Sequence, residues 1–468
     1  CKRSLIRKTL RISAIKSVNA QSCLIDILNG VMWQQILLFF FPIMLGTFFQ
    51  QLYNTVDAIV VGNFVGKVAL GAVGGSTGTL INLLINFISG LAGGATVVIA
   101  QSYGKNDMEG VKKGTESGMF LGITLGFVLM IVGIVSARQL LVMMDVTPEI
   151  LPLAVSYMRI YLLGLVPTMI YNVGSGVLRA VGDSRRPLYF LVASCFINIV
   201  CDILFVCVFN LGVNGAALAT IASQIFSCVL VLLALSKKGA VYHYRLNLKY
   251  EADFLRNIII IGLPTGIQSI LYSISNLFIQ AQVNGYGTDT IAAFTAFGKI
   301  DALFWMVSGA YSVAIITIVG QCYGAGKIKR LKEAVRTAIW MYCVTAIMIA
   351  SICYFGGNYL YQMFTSDEEV IRIGMDILMF LCPYWITFCL IEILSSAIRA
   401  CGESLKPMII TAITICGFRV LWIILYPSTT VIETLYCYPI SWVVTDVIFL
   451  IYYHKGTWLK VDSSIIQE

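Results

Sequence analysis

The chain has 468 residues, of which 58% are hydrophobic and only 12% charged. Soluble domains carry roughly 25% charged residues, so this composition excludes most water-soluble folds. It excludes a disordered chain as well, which needs the opposite balance. The net charge of +8 would suggest nucleic acid in a soluble protein; here it reads as topology, because basic residues collect in cytoplasmic loops.

A bilayer-spanning helix takes about 20 apolar residues. Hydropathy predicts twelve such spans, at 36–62, 69–101, 115–137, 150–178, 187–210, 214–236, 257–284, 291–321, 334–356, 370–398, 407–427 and 431–453. The second, fourth, eighth and tenth are long and are expected to tilt or to project. Residues 1–28 form a basic N-terminal extension, expected to lack fixed structure, without the sustained apolar core of a secretory signal. An N-lobe at 29–236, a cytoplasmic linker at 237–256, a C-lobe at 257–455 and a cytoplasmic tail at 456–468 follow. Of the 32 basic residues, 26 fall before odd-numbered spans, in the first turn of one (Arg336) or after the last. Only Lys67, Arg138 and Arg372 fall on the opposite side, the last in the first turn of the tenth span, and Arg159, Lys299 and Arg419 lie deeper within spans. This split predicts a multi-pass protein of the cell's inner or plasma membrane with both termini in the cytoplasm.

The two halves repeat each other. Arg179-Ala-Val-Gly-Asp-Ser-Arg-Arg-Pro187 returns 220 residues later as Arg399-Ala-Cys-Gly-Glu-Ser-Leu-Lys-Pro407. Gln101-Ser-Tyr-Gly-Lys105 returns as Gln321-Cys-Tyr-Gly-Ala325 at the same offset, and Pro42 and Asn54 return as Pro264 and Asn276 at an offset of 222. Six spans separate equivalent sites, so the repeat is parallel, related by an axis along the membrane normal. In the doubled loop, Gly182 and Gly402 suit a left-handed helix end, and Pro187 and Pro407 suit the first turn of the next helix. Asp183 or Glu403, with Ser184 or Ser404, is expected to accept from free amides there. The loop reads as fold, not chemistry. Two halves about such an axis suggest alternating access to a site between them.

A carboxylate in the bilayer centre costs roughly 2.5–3.5 kcal/mol on insertion scales, so each needs a reason. Gln50, Tyr53, Asn54 and Asp57 share one face of the first span at i, i+3, i+4, i+7 spacing. That face must meet a cavity or a neighbouring helix; side-chain glue explains Gln and Asn better than it explains Asp. Asn198 and Asp202 share a face of the fifth span. A carboxylate plus a side-chain carbonyl suits Na⁺, a hard cation, and equally a proton; Thr220 adds a hydroxyl oxygen or is simply bonded back to its own helix. Glu392, seven residues before the second loop motif, can face the cavity. Asp301 is a pathway group or a structural one, while Asp376 and Asp446 read as structural. Pro42 is a fixed kink or a hinge. Two histidines, no C-x-x-C pair and cysteines set in apolar runs give no support to a zinc centre or an enzyme.

The segment Leu45-Gly-Thr-Phe-Phe-Gln-Gln-Leu-Tyr-Asn-Thr-Val-Asp57, the Gln-x-Tyr-Gly ends, the doubled loop, Asn198-Ile-Val-Cys-Asp202 and Gly212-Val-Asn-Gly-Ala-Ala-Leu-Ala-Thr220 together resemble the multidrug and toxic compound extrusion (MATE) family. The resemblance spans about residues 28–460. It implies an all-α membrane protein of twelve transmembrane helices in two six-helix lobes. It further implies an antiporter that exports small organic cations or drugs against Na⁺ or H⁺ by rocker-switch motion. The family's cation site falls on Asp57, Asn198, Asp202 and Thr220, which would hold Na⁺ if sodium is the ion. The bending proline of the first helix falls on Pro42. Cavity-lining positions fall on Gln50 and Tyr53, with Asn172 a further match. One branch carries a glutamate in the seventh helix, which is missing here, and this favours N-lobe coupling. The expected partners are the substrate and the lipid bilayer, with no cofactor, no nucleic acid and a monomeric chain. The alternative is a flippase of lipid-linked saccharide, which would want a strongly basic cavity; only Arg159, Lys299 and Arg419 could supply one.

Overall fold

The computed structural model describes residues 27–459 apart from Lys238 and Leu246; almost all of the basic extension and most of the tail lie outside them. Eleven helices are long and apolar enough to cross a membrane, and a bent pair completes the twelfth. In chain order they are α1 Met32–Phe64, α2 Lys67–Gly104, α3 Met108–Met143, α4 (Leu151–Leu163 and Leu165–Ala180), α5 Arg185–Val208 and α6 Gly212–Leu235. The second half holds α7 Ala252–Asn284, α8 Thr288–Gly324, α9 Ile328–Gln362, α10 Glu368–Ala400, α11 Leu405–Leu425 and α12 Val431–Lys455. Every expected span is present, and no strand occurs among the described residues.

The breaks are repeated too. α4 bends by 44° at Gly164, and α10 tightens into a single narrow turn at Cys382–Tyr384, 220 residues on. α5 ends in an i→i+5 turn at Ile203–Val208, and α11 carries one at Ala412–Gly417.

The lobes meet along α2 and α7 with almost no side chain between them. A Cβ on Gly90 would sit 2.7 Å from the backbone nitrogen of Gly266, and one on Gly94 2.7 Å from that of Gly262. Two small-xxx-small ridges thus let the backbones touch, which is how helices associate where no hydrophobic effect drives them. At the end of the bundle where α1 begins, the repeated glutamines cross between lobes. Gln101 at the end of α2 donates to the carbonyl of Ala400 at 2.7 Å, and Gln321 at the end of α8 donates to that of Ala180 at 2.6 Å. Each closes an orphan carbonyl at a helix C-terminus of the opposite lobe. Gly104 and Gly324 allow the approach: a Cβ on either would collide with the backbone of Gln321 or Gln101.

The doubled loop holds more than turn geometry. Gly182 and Gly402 have φ of +103° and +95°, the left-handed conformation that favours glycine. Asp183 accepts from the amides of Arg185 and Arg186 at 3.2 and 3.1 Å, as expected of a helix start. Ser184 and Ser404 do not accept there. They donate instead to the carbonyls of Leu38 and Ile260, both at 3.1 Å. Those carbonyls stand four residues before Pro42 and Pro264, and a proline has no N–H to bond the carbonyl of residue i−4. Each loop serine therefore repairs the bond that a distant proline removes, and α1 and α7 run unbroken through their prolines.

Candidate functional site

Three helices of the first half bring the predicted acids together. Asp57 comes from α1, Asn198 and Asp202 from α5, and Thr220 from α6. All are buried, with Asp202 and Asn198 at 0% exposure, Thr220 at 3% and Asp57 at 6%. Thr220 Oγ1 lies 3.0 Å from the Ala216 carbonyl and 3.4 Å from Asp57 Oδ2; its single proton is shared between the two, so the hydroxyl is bonded back to its own helix and also stands against the Asp57 carboxyl. Asn198 and Asp202 adjoin the Asp57 carboxyl. Yet Asp57 Oδ1, both oxygens of Asp202 and both polar atoms of Asn198 lack any hydrogen-bond partner.

Orphaned buried polar atoms are rare, because each forfeits its hydration without recompense. Here four of the five are oxygens, and they cluster. Two carboxyls in contact, walled from water, cannot both stay ionised without a cation among them. The donor set is hard oxygen, fit for Na⁺ or a proton and unfit for a soft metal; no cluster of three or more His, Cys, Asp or Glu occurs among the described residues.

Beside this pocket lies a cavity of about 240 Å³ lined by side chains of α1, α2, α4, α5 and α8. Gln50 and Asn172 line it, together with Pro42, Thr96 and Arg179. Tyr53 stands between the cavity residue Gln50 and Asp57. Asn54 is exposed and donates to Gln51 at 3.3 Å, and Glu392 is half-buried, 3.8 Å from Arg399; neither lines this cavity. Two groups escaped the sequence reading. Tyr157 on α4, 5% exposed, lies within electrostatic reach of both Asp57 and Asp202. Its signal was the i, i+4 pair with Tyr161, whose ring centroid is 6.0 Å away. Arg419 stood out only as a basic residue inside a span and as one of three that could make a cavity basic, with no partner assigned to it. It is 2% exposed, donates to Asn276 at 3.2 Å and lies 4.0 Å over the ring of Tyr438.

Two parallel six-helix halves with a walled acid pocket in one of them define a membrane transporter rather than an enzyme. Comparison with known proteins is specific. The MatE family model matches residues 42–204 and 264–425, one match per half. YoeA of Bacillus subtilis (strain 168), described as a probable multidrug resistance protein, is 27% identical over 440 residues, covering 92% of this chain and 94% of its own. NorM of Thermotoga maritima, similarly described, is 25% identical over 429 residues, covering 88% and 90%. Among solved structures, an outward-facing multidrug resistance MATE family transporter of the MOP superfamily superposes with a TM-score of 0.86 at 24% identity, over 93% of this chain and 98% of that one. A MATE crystal structure in the straight conformation gives 0.85 over the same shares. The chain belongs to the MatE family, the MATE multidrug efflux transporters.

Proposed function

We propose that this chain is a secondary antiporter that exports small organic cations or drugs in exchange for Na⁺ or H⁺, and that the N-lobe pocket couples the two. The observation that carries the reading is the cluster of unpartnered oxygens on Asp57, Asn198 and Asp202 beneath Thr220. Facing outward, the two carboxyls take up the coupling cation. Their charge is then neutralised, and a cationic substrate held nearby loses its counter-charge and leaves. Facing inward, the cation escapes and substrate binds again. Gln50, Tyr53 and Asn172 guide the substrate beside the pocket, while Asn54 and Glu392, which do not line the cavity, take no part in it. Pro42 bends α1 when the Asp57 charge changes, releasing the Ser184 hydroxyl from Leu38.

The paired glutamine bonds of Gln101 and Gln321 fit the same scheme, holding the lobes together at one end. Rocker-switch motion requires both to break together. The chain works as a monomer, with its termini in the cytoplasm and its helices in the inner or plasma membrane. The test is efflux of several organic cations from proteoliposomes under imposed Na⁺ or H⁺ gradients. Uphill efflux driven by one gradient, and lost in D57N and D202N, is expected. Equal efflux with and without either gradient would overturn antiport.

A further inference from the structure

The second half has no acid where the first has Asp57; the equivalent position is Ile279, itself buried at 1% exposure. Its α7, α11 and α12, the counterparts of α1, α5 and α6, hold the buried Arg419 on α11 and the buried Asp446 on α12, whose Oδ1 has no partner. An offset of 220 would align Arg419 with Ile199. However, α11 takes an i→i+5 turn at Ala412–Gly417, ahead of Arg419, whereas the corresponding turn of α5 comes after Asp202. Such a turn uses one residue more than an α turn and often marks a functional site. Beyond it the register shifts by one, and Arg419 takes the place that Asn198 holds in the first half. Its anchor Asn276 is the repeat of Asn54.

The guanidinium is half-satisfied. Nη1 donates to Asn276 and the Tyr438 ring covers one face, but Nε and Nη2 have no partner. Those two nitrogens share one edge of the fork, whose two parallel donors match a planar carboxylate. No carboxylate lies within 4 Å of Arg419 among the described residues; the ion pairs there involve other arginines and lysines. Asp301 acts on it from farther off, with its own Oδ2 taken up by Trp305 at 2.6 Å. A buried cation with its recognition edge left open is costly unless something fills that edge.

We propose that the free edge of Arg419 is an anion subsite in the C-lobe, pseudo-equivalent to the N-lobe cation site, and that it takes the carboxylate of the transported molecule. The preferred substrates are then zwitterions, with the acidic end on Arg419. This rests on the export reading for its substrate, but not for its test, which uses no gradient. Fluorescence polarisation of rhodamine B, a zwitterion at neutral pH, is compared with its ethyl ester, a simple cation of nearly the same shape, on detergent-purified full-length protein. A charge-assisted bidentate contact is worth about tenfold or more in affinity. Wild type is expected to prefer rhodamine B by about that factor, and R419Q to erase the preference while ester binding stays unchanged. Equal weakening of both dyes, or no change in either, would overturn the proposal. R419K, which keeps the charge and loses the fork, guards against a misfolded R419Q; it is expected to keep only part of the preference, and full retention would overturn the side-on edge as the seat.

Discussion

The two halves of the molecule share their loops, bends, prolines and cross-lobe glutamines, yet differ in the polar centre of each bundle. In the first half Asp57, Asn198, Asp202 and Thr220 leave oxygens open. In the second, Ile279 fills the acid position and Arg419 leaves donors open. What the halves share is therefore scaffold, and what they do not share is chemistry. Residues repeated at 220 or 222 read first as architecture, with Pro42 as the exception that the proposed coupling makes, and those that break the repeat read as function.

The largest effect should come from the broken positions. D57N and D202N are each expected to reduce efflux to the level of membranes without the transporter, with expression and melting temperature preserved. Near-normal efflux by both would return the acids to a structural role. The opposite pattern is expected of the repeated positions, where the damage falls on stability and is alike in both halves. G104A and G324A push a methyl group into the backbone of the facing lobe, and overpacking of this kind costs about 1–3 kcal/mol. Thermal unfolding in detergent should register similar losses for the two, and a one-sided loss would break the symmetry. The smallest effect belongs to the loop serines. S184A and S404A each remove one hydrogen bond, worth about 1 kcal/mol. If Pro42 is a hinge and Pro264 a fixed kink, the two variants should melt alike while only S184A alters the efflux rate. Identical efflux from both would make Pro42 a fixed kink as well.

Much of this was legible in the residues. The cost of a carboxylate in lipid singled out Asp57 and Asp202, and four-residue spacing tied Asn198 to Asp202. Gly182 and Gly402 announced left-handed turns because few other residues tolerate them. The partners of Ser184 and Ser404 were hidden, because the receiving carbonyls lie 146 and 144 residues away and are orphaned by prolines in another helix. Arg419 was hidden for a different reason. Its alignment with Asn198 depends on one wide turn at Ala412–Gly417, and a 3.6-residue pattern carries no trace of a single added residue. The cavity beside Gln50 was half visible: polar spacing placed Gln50, but Thr96 and Arg179 arrive from other helices.

Gln101 and Gln321 each finish a helix that belongs to the opposite lobe. Such a contact is isologous, the same patch meeting itself across a twofold axis. Two separate copies of one six-helix chain bearing a single such glutamine would form both bonds at once, with no further change in sequence. Fusing the copies would then cost nothing at this seam, and it would free the two polar centres to diverge in charge while the junction stayed the same.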